Sequence, residues 1–314
     1  MKIGIDFFDD FNDYKLEVNN IPKSLELNNA KLAEIMTILP IRDGKKVIGS
    51  TPNSTMVPLI NLHNVLNEKD GFTDVNISQL ESSFKGTISF YVGMIMTVLV
   101  GEEENWGDYY HLKAKGLNIV KNNIDSKSIP DFLFIKEING KLFGTLVDAK
   151  GTSSTFRKKD SVEKGLVQLK QIKAVEIDGT LVDLNKAGYV VASSFKDTNN
   201  KLHVDVIDPR RSGDGTLKLR GRELILAKYR QILEIFTINE SRIEIRNEVA
   251  EVRLSIGTHR YRITVKNALL KFLRKLEAND DMNVSFMDLN KILAENVNAK
   301  GTKVMRGVTI QAID

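Results

Sequence analysis

Two aspartates and a lysine stand at the ends of two apolar runs. Pro130-Asp131 precedes Phe132-Leu133-Phe134-Ile135, and Asp148-Ala149-Lys150 follows the run from Leu142 to Val147. Between the runs lies Asn139-Gly140. That dipeptide is the strongest short-range hairpin signal, because a type I′ turn needs positive φ at both central residues. A two-residue loop pairs 138 with 141 and, counted outward, Asp131 with Asp148. Residues directly opposite in an antiparallel ladder have Cβ atoms roughly 4.5–5.5 Å apart, where like charges are destabilising. Lys150 lies two residues beyond Asp148 and so shares its face. Two carboxylates and an ammonium on one face are the outline of a metal-dependent hydrolytic site. The bland alternative is a pair of solvated strand ends, and a β-bulge near the site would shift the register by one. Asp-x-Lys also occurs at Asp13-Tyr14-Lys15 and Asp125-Ser126-Lys127. Neither of those closes an apolar strand or has a facing aspartate.

Other chemistries find little support. The 314-residue chain has no cysteine, which excludes disulfides, zinc fingers and thiol nucleophiles. His63, His111, His203 and His259 are scattered without HxH or HExxH spacing and read as surface or core residues. Gly44-Lys45-Lys46 lacks the glycine spacing of a phosphate loop, and no GxSxG elbow occurs. No built-in ATP motor is therefore expected.

These residues need elements to position them. A length of 314 residues suggests about two domains. A hydrophobic fraction of 42% and a charged fraction of 27% belong to an ordinary globular composition. Residues 1–75 read as an Asn-rich accessory segment without evident chemistry, containing a helix over 28–39 stopped by Pro40. The FFDDF run from Phe7 to Phe11 reads as packing plus solvated acids. Ile77 to Val100 reads as one long helix or two abutting ones with Gly86 as the joint. Its apolar stretch from Ile88 to Val100 is too short to span a bilayer. The opening residues carry no signal-peptide h-region, so a cytoplasmic location is expected.

Tyr109 to Val120 supplies a strand, and the 132–148 hairpin, apolar on both faces, belongs at the centre of a sheet covered by helices. Val162, Leu166, Leu169, Ile172 and Val175 predict an amphipathic helix from Asp160 to Glu176. Strands follow at 189–192 and 202–207. The order αβββαβ over 76–209 predicts an α/β sandwich. Beyond it, 210–314 predicts an α+β domain: helices over 224–236 and 267–276, alternating strands over 243–265, and a capped helix near Ser285. Arg210 to Lys275 holds 16 Lys and Arg against 7 Asp and Glu within a chain of net charge +4. Such asymmetry suggests a polyanion-binding surface on the C-terminal part.

Pro130-Asp131 and Asp148-Ala149-Lys150 on facing strands, set in αβββαβ order, resemble the PD-(D/E)xK nuclease superfamily over roughly residues 77–207. The resemblance implies a restriction-endonuclease-like core, a mixed central sheet flanked by helices. It implies that Asp131 and Asp148 bind Mg²⁺ (Mn²⁺ able to substitute), with the Ala149 carbonyl as a third oxygen ligand. Lys150 would orient the attacking water or neutralise transition-state charge. Many members carry a glutamate on the helix before the first strand. Here Phe90 and Tyr91 stand at that place, so Glu81, earlier on the helix, is the candidate, with Glu102 to Glu104 at its end. Gln168 and Gln171 lie on the following helix, where relatives often place an amide or lysine. The loop from Thr152 to Lys159, with Arg157-Lys158-Lys159, would contact phosphate.

The function implied is a Mg²⁺-dependent endonuclease acting on DNA, in a restriction or phage-defence setting. The basic C-terminal part would bind nucleic acid or a partner subunit, and dimerisation would let two sites cut two strands. RNA stays open as a substrate, because the chemistry is the same for both backbones. The rival is a degenerate nuclease fold that binds nucleic acid or assembles without cutting.

Overall fold

The computed structural model describes residues 2–27, 35, 82–124, 129–152, 159–195, 202–208, 213–256, 259–279, 286–294 and 307–313. The fold is mixed α/β, with a large mixed sheet flanked by helices. Its organising feature is the hairpin of β5 (Phe132–Ile138) and β6 (Lys141–Gly151). Asn139 and Gly140 take φ of 52° and 75°, so the I′ turn forms as the dipeptide predicts. Ile138 pairs with Lys141 and Phe132 with Val147, which puts Asp131 and Asp148 one step further along the same register.

β3 (Asp108–His111) pairs with β5 at one edge. On the other side β6 runs parallel to β8 (Thr180–Phe195), which is antiparallel to β9 (Leu202–Ile207). β1 (Lys2–Phe8) then joins β9 in parallel, and β2 (Ile21–Glu26) closes the edge. The described part of the N-terminal segment therefore extends the central sheet. Only Ile35 of the helix expected over 28–39 lies among the described residues. α1 (Phe11–Leu16) is capped by Asp10, whose carboxylate accepts from the Asn12 and Asp13 backbone N–H groups, so one acid of the FFDDF run is a cap.

α2 (Ser82–Glu103) is continuous through Gly86, so no joint forms there. It lies on the face of the sheet carrying Phe134 and Tyr189. Trp106, just past its end, stacks on Tyr189 with ring centroids 4.7 Å apart. Close approach is set by glycine at both surfaces: a Cβ on Gly93 would stand 2.8 Å from the Gly151 backbone nitrogen. Among the described residues, no helix is long and apolar enough to cross a membrane.

α3 (Lys159–Lys170) covers the opposite face with Val162, Leu166 and Leu169. It stops at Lys170, short of the predicted Glu176. Ile172 and Val175 belong instead to β7 (Ile172–Ile177), which turns through Asp178-Gly179 into β8. Asp178 and Gly179 take φ of 49° and 80°, a second turn of the same kind as at 139–140. Two apolar positions three apart fit a helix and not the two-residue alternation of a half-buried strand, so the strand signal lies in the Asp-Gly turn and in Val175 and Ile177, which alternate. The long β8 thus belongs to two arms. β10 (Gly215–Leu219) extends the second arm, pairing with β7 and with β4 (Val120–Asn122). The span from 109 to 120 accordingly holds the end of one strand and the start of another.

α4 (Gly221–Ile238) packs against β3. Its Lys228, 2% exposed, places Nζ 2.5 Å from Asp108 and about 5 Å from the Tyr109 and Tyr110 ring centres. A second, antiparallel sheet follows: β11 (Glu244–Arg246), β12 (Val249–Ile256), β13 (His259–Lys266) and β14 (Val308–Ile313). Ala250, Val252, Ile263 and Val265 form its buried face. α5 (Asn267–Ala278) and α6 (Phe286–Ala294) complete this part. Lys266 Nζ donates at 2.8 Å to the Ile292 and Leu293 carbonyls, satisfying the last turn of α6.

Candidate active site

Asp131 sits at the bend entering β5 and Asp148 near the end of β6, both buried at 6% and 0% exposure. Both oxygens of Asp131 are held. Oδ2 accepts from the Ala149 backbone N–H at 2.9 Å, and Oδ1 accepts from Lys113 Nζ at 2.7 Å. A residue's N–H and C=O in an antiparallel ladder face the same neighbouring strand. The Ala149 carbonyl therefore also turns toward Asp131. Lys150 Nζ forms an ion pair with Asp148 Oδ2. Against that oxygen lies α3, at Gly165, where a Cβ would stand 2.5 Å away.

The two carboxyls respond in opposite directions. Burial raises that of Asp131, but the charge and hydrogen bond of Lys113, with Lys150 and His111, outweigh it and hold the group below the usual carboxylate range. Burial, then the negative charge of Asp131, pushes Asp148 up to about 7 despite Lys150. The two buried carboxyls therefore differ in their affinity for protons, although each has one ammonium beside it. A divalent cation between the carboxylates would relieve the repulsion that burial and Asp131 impose on Asp148.

Lys113 escaped the sequence reading. It follows β3, whose pairing with β5 brings the Leu112 backbone N–H to the Asp131 carbonyl at 2.7 Å. Nothing local in Lys113-Ala114-Lys115 signals that contact, since it depends on a strand pairing between segments twenty residues apart. The buried His111, one of the four scattered histidines, rests against Phe132 with ring centres 5.3 Å apart.

The other predicted residues are placed as follows. Glu81 lies outside the described residues, as do 153–158 with Arg157 and Lys158. Lys159 donates to the Lys15 carbonyl at 2.8 Å. Phe90 is 36% exposed, whereas Tyr91 is buried, which pushes its phenol up. From Ser82 to Gly101, α2 carries no acid, and Ser89 and Gly93 take the positions against Gly151. Glu104 pairs with Lys23 of β2 at 2.7 Å, away from the site. Gln168 lies with Asp160, Glu163 and Lys164 along the outer side of α3, and Gly165 is the residue that meets Asp148. Gln171 follows α3, and its carbonyl accepts from the Gly215 N–H at 2.9 Å.

On the second sheet, Arg253 and Arg262 face each other across β12 and β13, with Arg260 beside them, on the side opposite the buried face. Glu251 answers two of these charges, accepting from Arg253 Nε at 2.8 Å and lying 3.4 Å from Arg262 Nε. The excess of arginine over acid on this face is one physical form of the basic C-terminal balance.

No protein-family model matches the chain, and neither does any curated protein or solved structure.

Proposed function

We propose that the chain is a divalent-metal-dependent endonuclease of restriction-endonuclease-like architecture that hydrolyses DNA phosphodiester bonds at Asp131, Asp148 and Lys150. The observation that carries this reading is the buried face-to-face placement of Asp131 and Asp148 at the mouth of one hairpin, with Lys150 on the same face. Asp148, pushed up to about 7, is a carboxyl whose charged form lacks sufficient compensation without a further cation. The donors fit a hard cation such as Mg²⁺: two carboxylates and the Ala149 carbonyl, all oxygen. Bound there, the cation would lower the pKa of a coordinated water and offset charge on the phosphate.

The chain's own residues supply the rest. The Ala149 N–H fixes the orientation of Asp131. Lys150 is 22% exposed along its side chain, and its ammonium pairs with Asp148. From there it can hold a phosphate oxygen or an attacking water as negative charge develops. Lys113, also 22% exposed, offers a second ammonium on the other side of the aspartate pair. The arginine face of the second sheet would hold the nucleic-acid backbone, giving salt-sensitive affinity.

A second reading has its own support. α2 carries no acid from Ser82 to Gly101, and both carboxylates already have lysine partners. A nuclease fold with that arrangement suits a protein that binds nucleic acid without cutting it.

Incubation of supercoiled DNA with Mg²⁺ or Mn²⁺ separates the two. The nuclease nicks or linearises DNA, chelation stops it, and Asp148→Ala or Lys150→Ala lowers the rate by about 10²–10³-fold or more. Tight, salt-sensitive DNA binding with no cleavage under either metal would overturn the nuclease reading in favour of the binder.

A further inference from the structure

A second constellation lies on the same face of the central sheet. Lys150 pairs with Ala192, Ala192 with Asp205 and Asp205 with Asp6, so these four residues form one row across β6, β8, β9 and β1. His203, two residues before Asp205, shares its face. Its Nε2 lies 2.9 Å from Asp6 Oδ2 and 3.4 Å from Asp205 Oδ1. One donor atom from each residue lies within 4.8 Å of the other two. The remaining oxygen of Asp6 accepts from Asn20 Nδ2 at 2.8 Å. Gly4 lies beneath the imidazole, where a Cβ would stand 3.1 Å from Nδ1.

An independent feature points at a ligand. Ser194 is the direct cross-strand partner of His203, so its side chain projects on the same face. It is 4% exposed, and its Oγ has no hydrogen-bond partner among the described residues. Ser194 and Asp205, with Lys150, Thr152 and Ser161, line a small cavity of about 20 Å³ that adjoins the cluster through Asp205 and has room for one water-sized group. A buried hydroxyl without a partner is unfavourable. A metal-bound water in that cavity would satisfy it.

We propose that Asp6, His203 and Asp205 form a binding site for a divalent transition cation of the Zn²⁺ class, with Ser194 hydrogen-bonded to a water on the ion. Ligands about 2.0–2.2 Å from a common ion stand roughly 3.0–3.6 Å apart. The 2.9 and 3.4 Å separations are close to that range already. Two carboxylates and a neutral imidazole carry a net charge matching a divalent ion. The imidazole selects Zn²⁺ over Mg²⁺, which the all-oxygen pair at Asp131 and Asp148 would prefer. The Asn20 amide acts as the outer support that orients a ligating carboxylate. Strands lie about 4.8 Å apart, so the backbone of Asp205, two strands over, is roughly 10 Å from that of β6, which carries Asp148. That is too far to be the second ion of a two-metal mechanism, whose ions lie about 3.5–4 Å apart. The ion instead ties the N-terminal strand to the centre of the sheet.

The test uses the full chain, stripped with chelator and titrated calorimetrically with Zn²⁺ in excess Mg²⁺. One equivalent is expected, retained when Asp131→Asn and Asp148→Asn are combined and lost in His203→Gln and in Asp205→Asn. Saturation should raise the Tm by roughly 5 °C in wild type and not in His203→Gln. If His203→Gln does not fold, the Asp131→Asn, Asp148→Asn chain decides: Zn²⁺ must protect His203 from diethylpyrocarbonate. No bound equivalent, binding that survives His203→Gln, or an unprotected His203 would show the cluster to be an ion-pair clamp and overturn the site.

Discussion

The two carboxylate clusters share one sheet face but are built in opposite ways. Asp131 and Asp148 stand at the facing ends of one hairpin, are buried, and are each paired with a lysine. Asp6 and Asp205 come from strands nearly two hundred residues apart, are joined in parallel, and share one imidazole. An ammonium answers a carboxylate as a permanent positive charge. An imidazole can leave that role and become a ligand. The first cluster is therefore a site whose carboxyls already hold lysines that a metal must displace, and the second a site whose own donors already converge.

That contrast can be broken most sharply through pH. The carboxyl of Asp148 is raised from 3.8 to about 7 in the folded chain. Its protonated form therefore contributes stability that is complete below about pH 4 and lost as pH rises through 7. Asp131, held low, acts in the opposite sense and only in acid, where stability falls as pH drops below its ordinary range. In chelator, wild-type Tm should fall between pH 5 and 8, whereas Asp148→Asn should be flatter across that window and more stable than wild type at pH 8. A wild-type curve as flat as that of Asp148→Asn would remove the proposed strain from the first cluster.

Packing gives the next effect. Gly165→Ala sets a Cβ 2.5 Å from Asp148 Oδ2, so α3 or the carboxylate must shift. Overpacking of this kind is destabilising by about 1–3 kcal/mol, readable from urea midpoints. The same change should leave Zn²⁺ affinity at the second cluster unaltered.

Lys113→Met removes the cation that occupies Asp131. Mg²⁺ affinity, followed by calorimetry, should rise about tenfold, equivalent to about 1.4 kcal/mol, because the metal no longer displaces a lysine. An unchanged or weaker affinity would mean that Lys113 helps to hold the site in shape. The smallest effect tests the hairpin that aligns the aspartates. Gly140→Ala, at φ 75°, should lower stability by about 1 kcal/mol in a denaturant titration while keeping the register.

Local signals were sufficient wherever the partners were close in the chain. The Asn139-Gly140 turn aligned Asp131 with Asp148 because a two-residue loop leaves one register, and the strand at 202–207 followed from its β-branched run. Ile172 and Val175 were assigned to a helix because their three-residue spacing continues the helical pattern, although Asp178-Gly179 held the correcting signal. The acid-free stretch of α2 was legible as Phe90 and Tyr91; that Gly93 brings the helix against Gly151 was not.

By itself, then, the sequence determined the hairpin, the pairing of two carboxylates and the presence of Lys150 on their face, because turn geometry and strand periodicity are local properties. Tertiary structure alone decided that Lys113 reaches Asp131, that Gly165 lets α3 press on Asp148, and that Asp6 meets His203 and Asp205. Those contacts depend on which strands become neighbours in the sheet. Strand order reflects the burial of apolar surface over the whole chain, and no spacing within one segment encodes it.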